Sequence, residues 1–157
     1  MATTAVDVVR QRLKTYAAQG VFQGLSEATG RQGKTTFKFV WLLGNEFSFV
    51  IDPKRHEIVA KNLLPAIDNR SFIDKDLRQY IAGRTDHKLP AHRRLNTDFV
   101  TLTYTNRKQN VSLVMRADQE QYKYAIKALL GTLNDLFGYL NLYHIDYLHR
   151  NFGVPEE

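Results

Sequence analysis

Between Phe37 and Ile51 large apolar side chains recur at every second position: Phe37, Phe39, Trp41 and Leu43, then Phe47, Phe49 and Ile51 after Gly44-Asn45. No other feature restricts the fold as strongly. A period of two puts alternate side chains on one face of a β-strand, and a Gly-Asn pair between two such runs reverses the chain, so this stretch predicts an antiparallel hairpin. Asp52-Pro53-Lys54-Arg55 follows as a second turn, because proline presets φ at its second position and the aspartate bonds the backbone beyond it. Another strand is expected over 56–62. Residues 22–27 include Gly24 and show little apolar alternation, which leaves the number of strands before the next helix at three or four.

The segments around these strands have helical spacing. Thr4-Ala5-Val6-Asp7 is a capping-box pattern, Val6, Val9, Leu13, Tyr16 and Ala17 share one face, and Gly20 supplies a stop, so a helix is expected over 5–19. Ser71-Phe72-Ile73-Asp74 repeats the pattern ahead of Ile73, Leu77, Tyr80 and Ile81, and Gly83 closes this second helix. Residues 84–97, with Pro90 among charged side chains, read as a loop. Val100, Leu102 and Tyr104 alternate with threonines, Asn106-Arg107-Lys108-Gln109 turns the chain, and Val111, Leu113 and Met115 return it as a second hairpin.

The last segment starts at Asp118, a residue suited to an N-cap, and carries Tyr122, Ile126, Leu129, Leu130, Leu133, Phe137 and Leu140 on one stripe. A helix continuous over 119–150 would be about 48 Å long at 1.5 Å per residue. The 157 residues predict a globule only about 39 Å across, so the helix must break or protrude. Gly138 is a candidate break. Protrusion would expose Tyr139, Leu142, Tyr143 and Tyr147, which are then the expected protein-binding residues and the expected core of a homodimer interface. A bend would instead pack that face under the 84–97 loop. Together the elements predict one α+β domain over 1–157, with an antiparallel sheet in the order α-β-β-β-α-β-β-α and a long C-terminal helix.

The residue inventory narrows the chemistry. With no cysteine there is no disulfide framework, cysteine-based zinc site or thiol nucleophile, and a reducing compartment is favoured. Asp7, Arg10, Arg12 and Lys14 interrupt the segment where a signal peptide needs its apolar core, and no run reaches the length of a membrane helix, so the expected location is the cytoplasm. Ala28-Thr29-Gly30-Arg31-Gln32-Gly33-Lys34-Thr35 approaches a phosphate-binding loop. That chemistry needs a helix after the loop, and residues 36–43 alternate as a strand, so a Gly-rich β-turn is expected there. The five histidines lack metal-ligand spacing, and the serines lack a nucleophile elbow. We therefore expect no catalytic residues, metal or cofactor.

Lysine and arginine number 22 against 16 acidic residues, a net charge of +6. Within 84–97 lie Arg84, Lys88, Arg93 and Arg94, the residues a nucleic acid would use through weak, non-specific phosphate contacts. The order α-β-β-β-α up to residue 83 resembles a double-stranded RNA-binding domain. That family starts its second helix with lysines, whereas Ser71-Phe72-Ile73-Asp74 offers only Lys75 nearby.

From about Thr4 to Tyr147 the full order of elements resembles the type III secretion chaperone-like fold group and its bacterial sensory-transduction-regulator relatives. The resemblance implies a helix-flanked antiparallel sheet that acts by binding protein segments, often as a dimer. The net positive charge departs from the acidic character of those chaperones. The leading expectation is a non-enzymatic, chaperone-like protein-binding module, with nucleic-acid binding through the basic loop as the alternative.

Overall fold

A computed structural model describes residues 4–155, and the expected α+β order is present. The first helix, α1 (Ala5–Ala18), starts from a complete capping box: the Asp7 amide donates to the Thr4 hydroxyl at 3.1 Å, and the Thr4 amide donates back to the Asp7 carboxylate at 3.2 Å. Ala5, Val9 and Leu13 are its buried face.

Strands β1 (Gln23–Thr29), β2 (Thr35–Val40), β3 (Glu46–Asp52) and β4 (Glu57–Leu64) follow as a meander. Helix α2 (Phe72–Ala82) separates them from the hairpin β5 (Val100–Arg107) and β6 (Asn110–Ala117). The six strands form one antiparallel sheet in the order β1-β2-β3-β4-β6-β5. Helix α3 (Tyr122–Tyr143) and the short α4 (Ile145–Phe152) complete the chain.

Alternation decides which face of the sheet is covered. Phe37, Phe39, Phe47, Phe49, Ile51 and Ile58 point into the core, where they meet the stripe Ile126, Leu129, Leu133, Leu136 and Leu140 of α3. On the other face the register aligns Ala28, Thr36, Val50, Val59, Val114 and Thr103 in one row across all six strands. These residues are half-buried or exposed, the one-sided pattern usual for an antiparallel sheet. Helix α1 packs beside α3. Ring and side-chain contacts from Phe72–His144 to Arg84–Asp135 show α2 running antiparallel to α3 along its other side.

Two polar anchors fix α2. Asp74, with a side chain only 1% exposed, accepts from the Arg70 amide, Arg78 Nε, Tyr104 Oη and Asn106 Nδ2 at 2.9–3.1 Å, tying the first turn of α2 to β5. Burial alone would raise its pKa. The hydrogen bonds from Asn106, Arg70, Tyr104 and Arg78 outweigh burial and hold the carboxyl at about 2. At the other end, Arg84 is buried against Asp135 of α3.

The near-match to a phosphate loop is a turn between strands: Gly30–Lys34 links β1 to β2, and Gly33 takes φ +75°, a conformation glycine adopts without strain. Lys34 Nζ lies 3.9 Å from the buried Asp52 carboxylate, a long contact of little energetic weight because Arg55 Nε stands at the same distance and the carboxylate also accepts from the Arg55 amide. We expect Lys34→Ala to change stability by less than about 0.5 kcal/mol in urea unfolding. Isothermal titration with ATP should give no heat for either protein. Micromolar ATP binding abolished by the substitution would show that the turn does hold phosphate.

Candidate protein-binding surfaces

The C-terminal segment bends, and it does so at His144 rather than at Gly138, which lies inside α3. His144 takes φ −138° and ψ 43°, which ends α3 and begins α4. Tertiary contacts hold the bend there. The Asp76 carboxylate, on α2, accepts from Tyr139 Oη at 2.8 Å and meets His144 Nε2 at 2.5 Å. The Tyr139 ring also lies tilted against those of Tyr80, at 4.2 Å, and Tyr143, at 4.8 Å. Burial first, and then the Asp76 carboxylate, push the Tyr139 phenol up to about 12. Among the described residues Tyr139 carries the only hydroxyl bonded to the Asp76–His144 pair, so the cluster anchors α3 on α2.

The bend separates the four residues that the sequence groups together. Leu142 and Tyr143 are 75% and 68% exposed, whereas Tyr139 is half-buried. Tyr147 corrects the expectation of a protruding aromatic. It is buried, and its hydroxyl donates to the Pro65 carbonyl at 2.6 Å, because α4 folds back onto the loop before α2. In its place stands Phe72, 82% exposed at the first turn of α2, with its ring 6.3 Å from His144. Phe72 sits beside the Ser71 cap, and the fold, not the spacing, brings its ring to His144, next in the chain to Leu142 and Tyr143. A groove of about 380 Å³, lined by Ile73, Leu142, Tyr143, Asp146 and Arg150, adjoins this apolar face.

The basic loop also divides. Arg84 is withdrawn from solvent: Nη2 donates to Asp135 at 2.5 Å and to the Arg93 carbonyl at 3.1 Å, and Nη1 donates to Tyr80 Oη at 3.2 Å. It is a structural cation rather than a phosphate contact, which corrects its expected role. Lys88 and Arg93 are exposed and Arg94 is half-exposed. Of these, Arg93 and Arg94 line a cleft of about 520 Å³ between the loop and the outer side of α3, and Lys88 stands outside it.

That cleft includes Lys127 on α3, a cation sequence reasoning did not connect with the loop. Its floor holds Ala128, Gly131 and Thr132. A second hollow of about 190 Å³, lined by Tyr16, Val21, Phe22 and Trp41, shares Lys127, Gly131 and Asn134 with the first. The two hollows adjoin along the exposed stripe Lys127, Gly131 and Asn134 of α3, making a grooved surface across the helix that is cationic on the loop side and aromatic on the α1 side. Among the described residues no group of three or more histidine or acidic side chains is placed to hold a metal ion, and no helix is long and apolar enough to cross a membrane. No family model, curated protein or solved structure matches this chain.

Proposed function

We propose that this chain is a non-enzymatic, chaperone-like protein-binding module of the cytoplasm, working as a homodimer joined through Phe72, Leu142 and Tyr143. The observation that carries this reading is the exposure of three large apolar side chains at one junction of α2 and α3. Aromatic and aliphatic groups held this far out of a fold favour burial against a partner. A second copy is the partner the charges favour. Asp146 and Arg150, exposed on α4 beside the same groove, form no ion pair among the described residues. A twofold axis through the patch brings the carboxylate of one copy toward the guanidinium of the other, the self-complementarity an isologous interface requires. The topological resemblance to segment-binding chaperones supports the same reading at the level of the fold.

Light scattering on the full chain tests it. The parent protein is expected to be a dimer, and Leu142→Asp with Tyr143→Asp should weaken association by about 1,000-fold or more, at roughly 2 kcal/mol per lost anchor. Both residues are exposed, so the variant should keep the parent's circular dichroism spectrum, and its melting temperature should fall only by what loss of the dimer contact removes. A parent protein that stays monomeric at the highest attainable concentration, or a double variant that stays dimeric, refutes the proposal.

A further inference from the structure

We propose that the groove across α3 binds an acidic peptide segment, its carboxylates against Arg93, Arg94 and Lys127 and an apolar side chain against Val21 and Trp41. The inference rests on the reading of the chain as a protein-binding module but not on the dimer face, which lies at the far end of α3.

Charge is the first observation. Among the described residues none of Arg93, Arg94 and Lys127 forms an ion pair with a carboxylate. The one acid in the cleft, Asp135, is already engaged by Arg84. Arg94 donates instead to the His87 carbonyl at 3.3 Å, a neutral acceptor. Three uncompensated cations around one concavity raise the local concentration of anions, because low-dielectric walls focus their field. Arg84 lines the same cleft, and its buried Nε has no acceptor among the described residues.

Shape is the second. Ligand sites are concavities of about 300–1,000 Å³, and the cationic half alone lies within that range at about 520 Å³. Gly131 keeps the floor open: a Cβ placed there would meet nothing within 4 Å. The third observation separates a peptide from a simple anion. The groove continues onto Val21, 44% exposed, and Trp41, whose ring packs edge-on to Phe22 at 5.4 Å. Phosphate or a polyanion has no use for that half. The two hollows meet on Lys127, Gly131 and Asn134, so a short spacer between the acidic and apolar positions of the peptide lets both halves be filled at once.

Fluorescence anisotropy tests this with a labelled peptide, Glu-Glu-Glu-Gly-Gly-Leu-Leu, on the full chain and on its Leu142→Asp/Tyr143→Asp variant. Both should bind it alike, and both should weaken as salt rises. Peptides with lysine for glutamate, or with serine for leucine, should bind at least about tenfold more weakly. Arg93→Glu with Arg94→Glu should produce a similar loss. Gly131→Leu should do so too, although it leaves every charge in place. It suits the helix and fills open space, so unchanged circular dichroism is expected. Absence of peptide binding, or binding indifferent to Gly131→Leu, overturns the proposal. A short single-stranded RNA that binds more tightly than the peptide and is equally indifferent also overturns it, in favour of surface phosphate contacts. A parent protein that is monomeric yet binds the peptide refutes the dimer and leaves the groove standing.

Discussion

Asp74→Ala is expected to destabilise the protein by about 3–5 kcal/mol, measured as a fall in the urea midpoint at neutral pH. The size follows from what the carboxylate holds. Its two oxygens accept from Tyr104 Oη, Asn106 Nδ2, the Arg70 amide and Arg78 Nε. It also shares the first turn of α2 with the Ser71 cap. Removing it strands Tyr104 Oη and Asn106 Nδ2 away from solvent, and each buried donor left without an acceptor costs about 1–3 kcal/mol, while Arg78, 42% exposed, turns to water. Asp74→Asn keeps the shape but turns an amide NH₂ toward groups that themselves donate, so it should lose a large share of the same stability. The pH dependence gives an independent check. The folded carboxyl sits at about 2, below its ordinary 3.8, so its stabilisation is complete above the ordinary value and fades as pH falls from about 4 to 2. Parent stability should drop through that window by about 2 kcal/mol more than that of Asp74→Asn. Superimposable pH profiles would show that the hub does not hold α2 to β5.

What the sequence displays and what it hides separate along one line, between local and long-range causes. Thr4 and Ser71 cap their helices through amides three residues away, and both helices are legible from those positions. The β2–β3 hairpin declares itself because Phe37, Phe39, Phe47 and Phe49 each face the core. Strand β1 leaves almost no pattern: of its residues only Leu25 is even partly buried, and the strand exists because its backbone pairs with β2. The break at His144 is illegible for a similar reason. Gly138 weakens a helix by propensity alone, yet it stays helical within a well-packed α3. The chain turns where Asp76, 68 positions earlier, meets His144. The binding surfaces follow the same rule. Leu142 and Tyr143 are visible as apolar residues in excess of one helical face, whereas Phe72 joins them only through the antiparallel packing of α2 and α3. Arg93 and Arg94 are visible as loop cations. Nothing near Lys127 announces that it completes their cleft, and nothing near Arg84 announces that Asp135, 51 positions on, removes it from solvent.

Asp135→Ala should cost about 3 kcal/mol, the lower end of the usual loss for a broken buried pair, because Asp135 is itself 26% exposed. The loss falls on Arg84. Its side chain is 6% exposed, and its charge would be left with the Arg93 carbonyl, the Tyr80 hydroxyl and the Tyr80 ring at 5.3 Å. None of these is a counter-charge. A guanidinium cannot shed its proton at any pH the fold survives, so the strain must be relieved by movement. The segment free to move is the one Arg84 organises: its carbonyl accepts from the Leu95 amide at 2.8 Å, closing the 84–95 loop. Hydrogen exchange should therefore accelerate at Leu95 in Asp135→Ala while the strands keep their protection, a local opening rather than a global one. Pairing the change with Arg84→Met removes the stranded charge and should recover at least half of the loss, since replacing both partners of a buried ion pair with apolar groups is often neutral. A double variant no more stable than Asp135→Ala alone would show that the cost lies in lost packing around Asp135, and that the Arg84 charge is not what closes the loop.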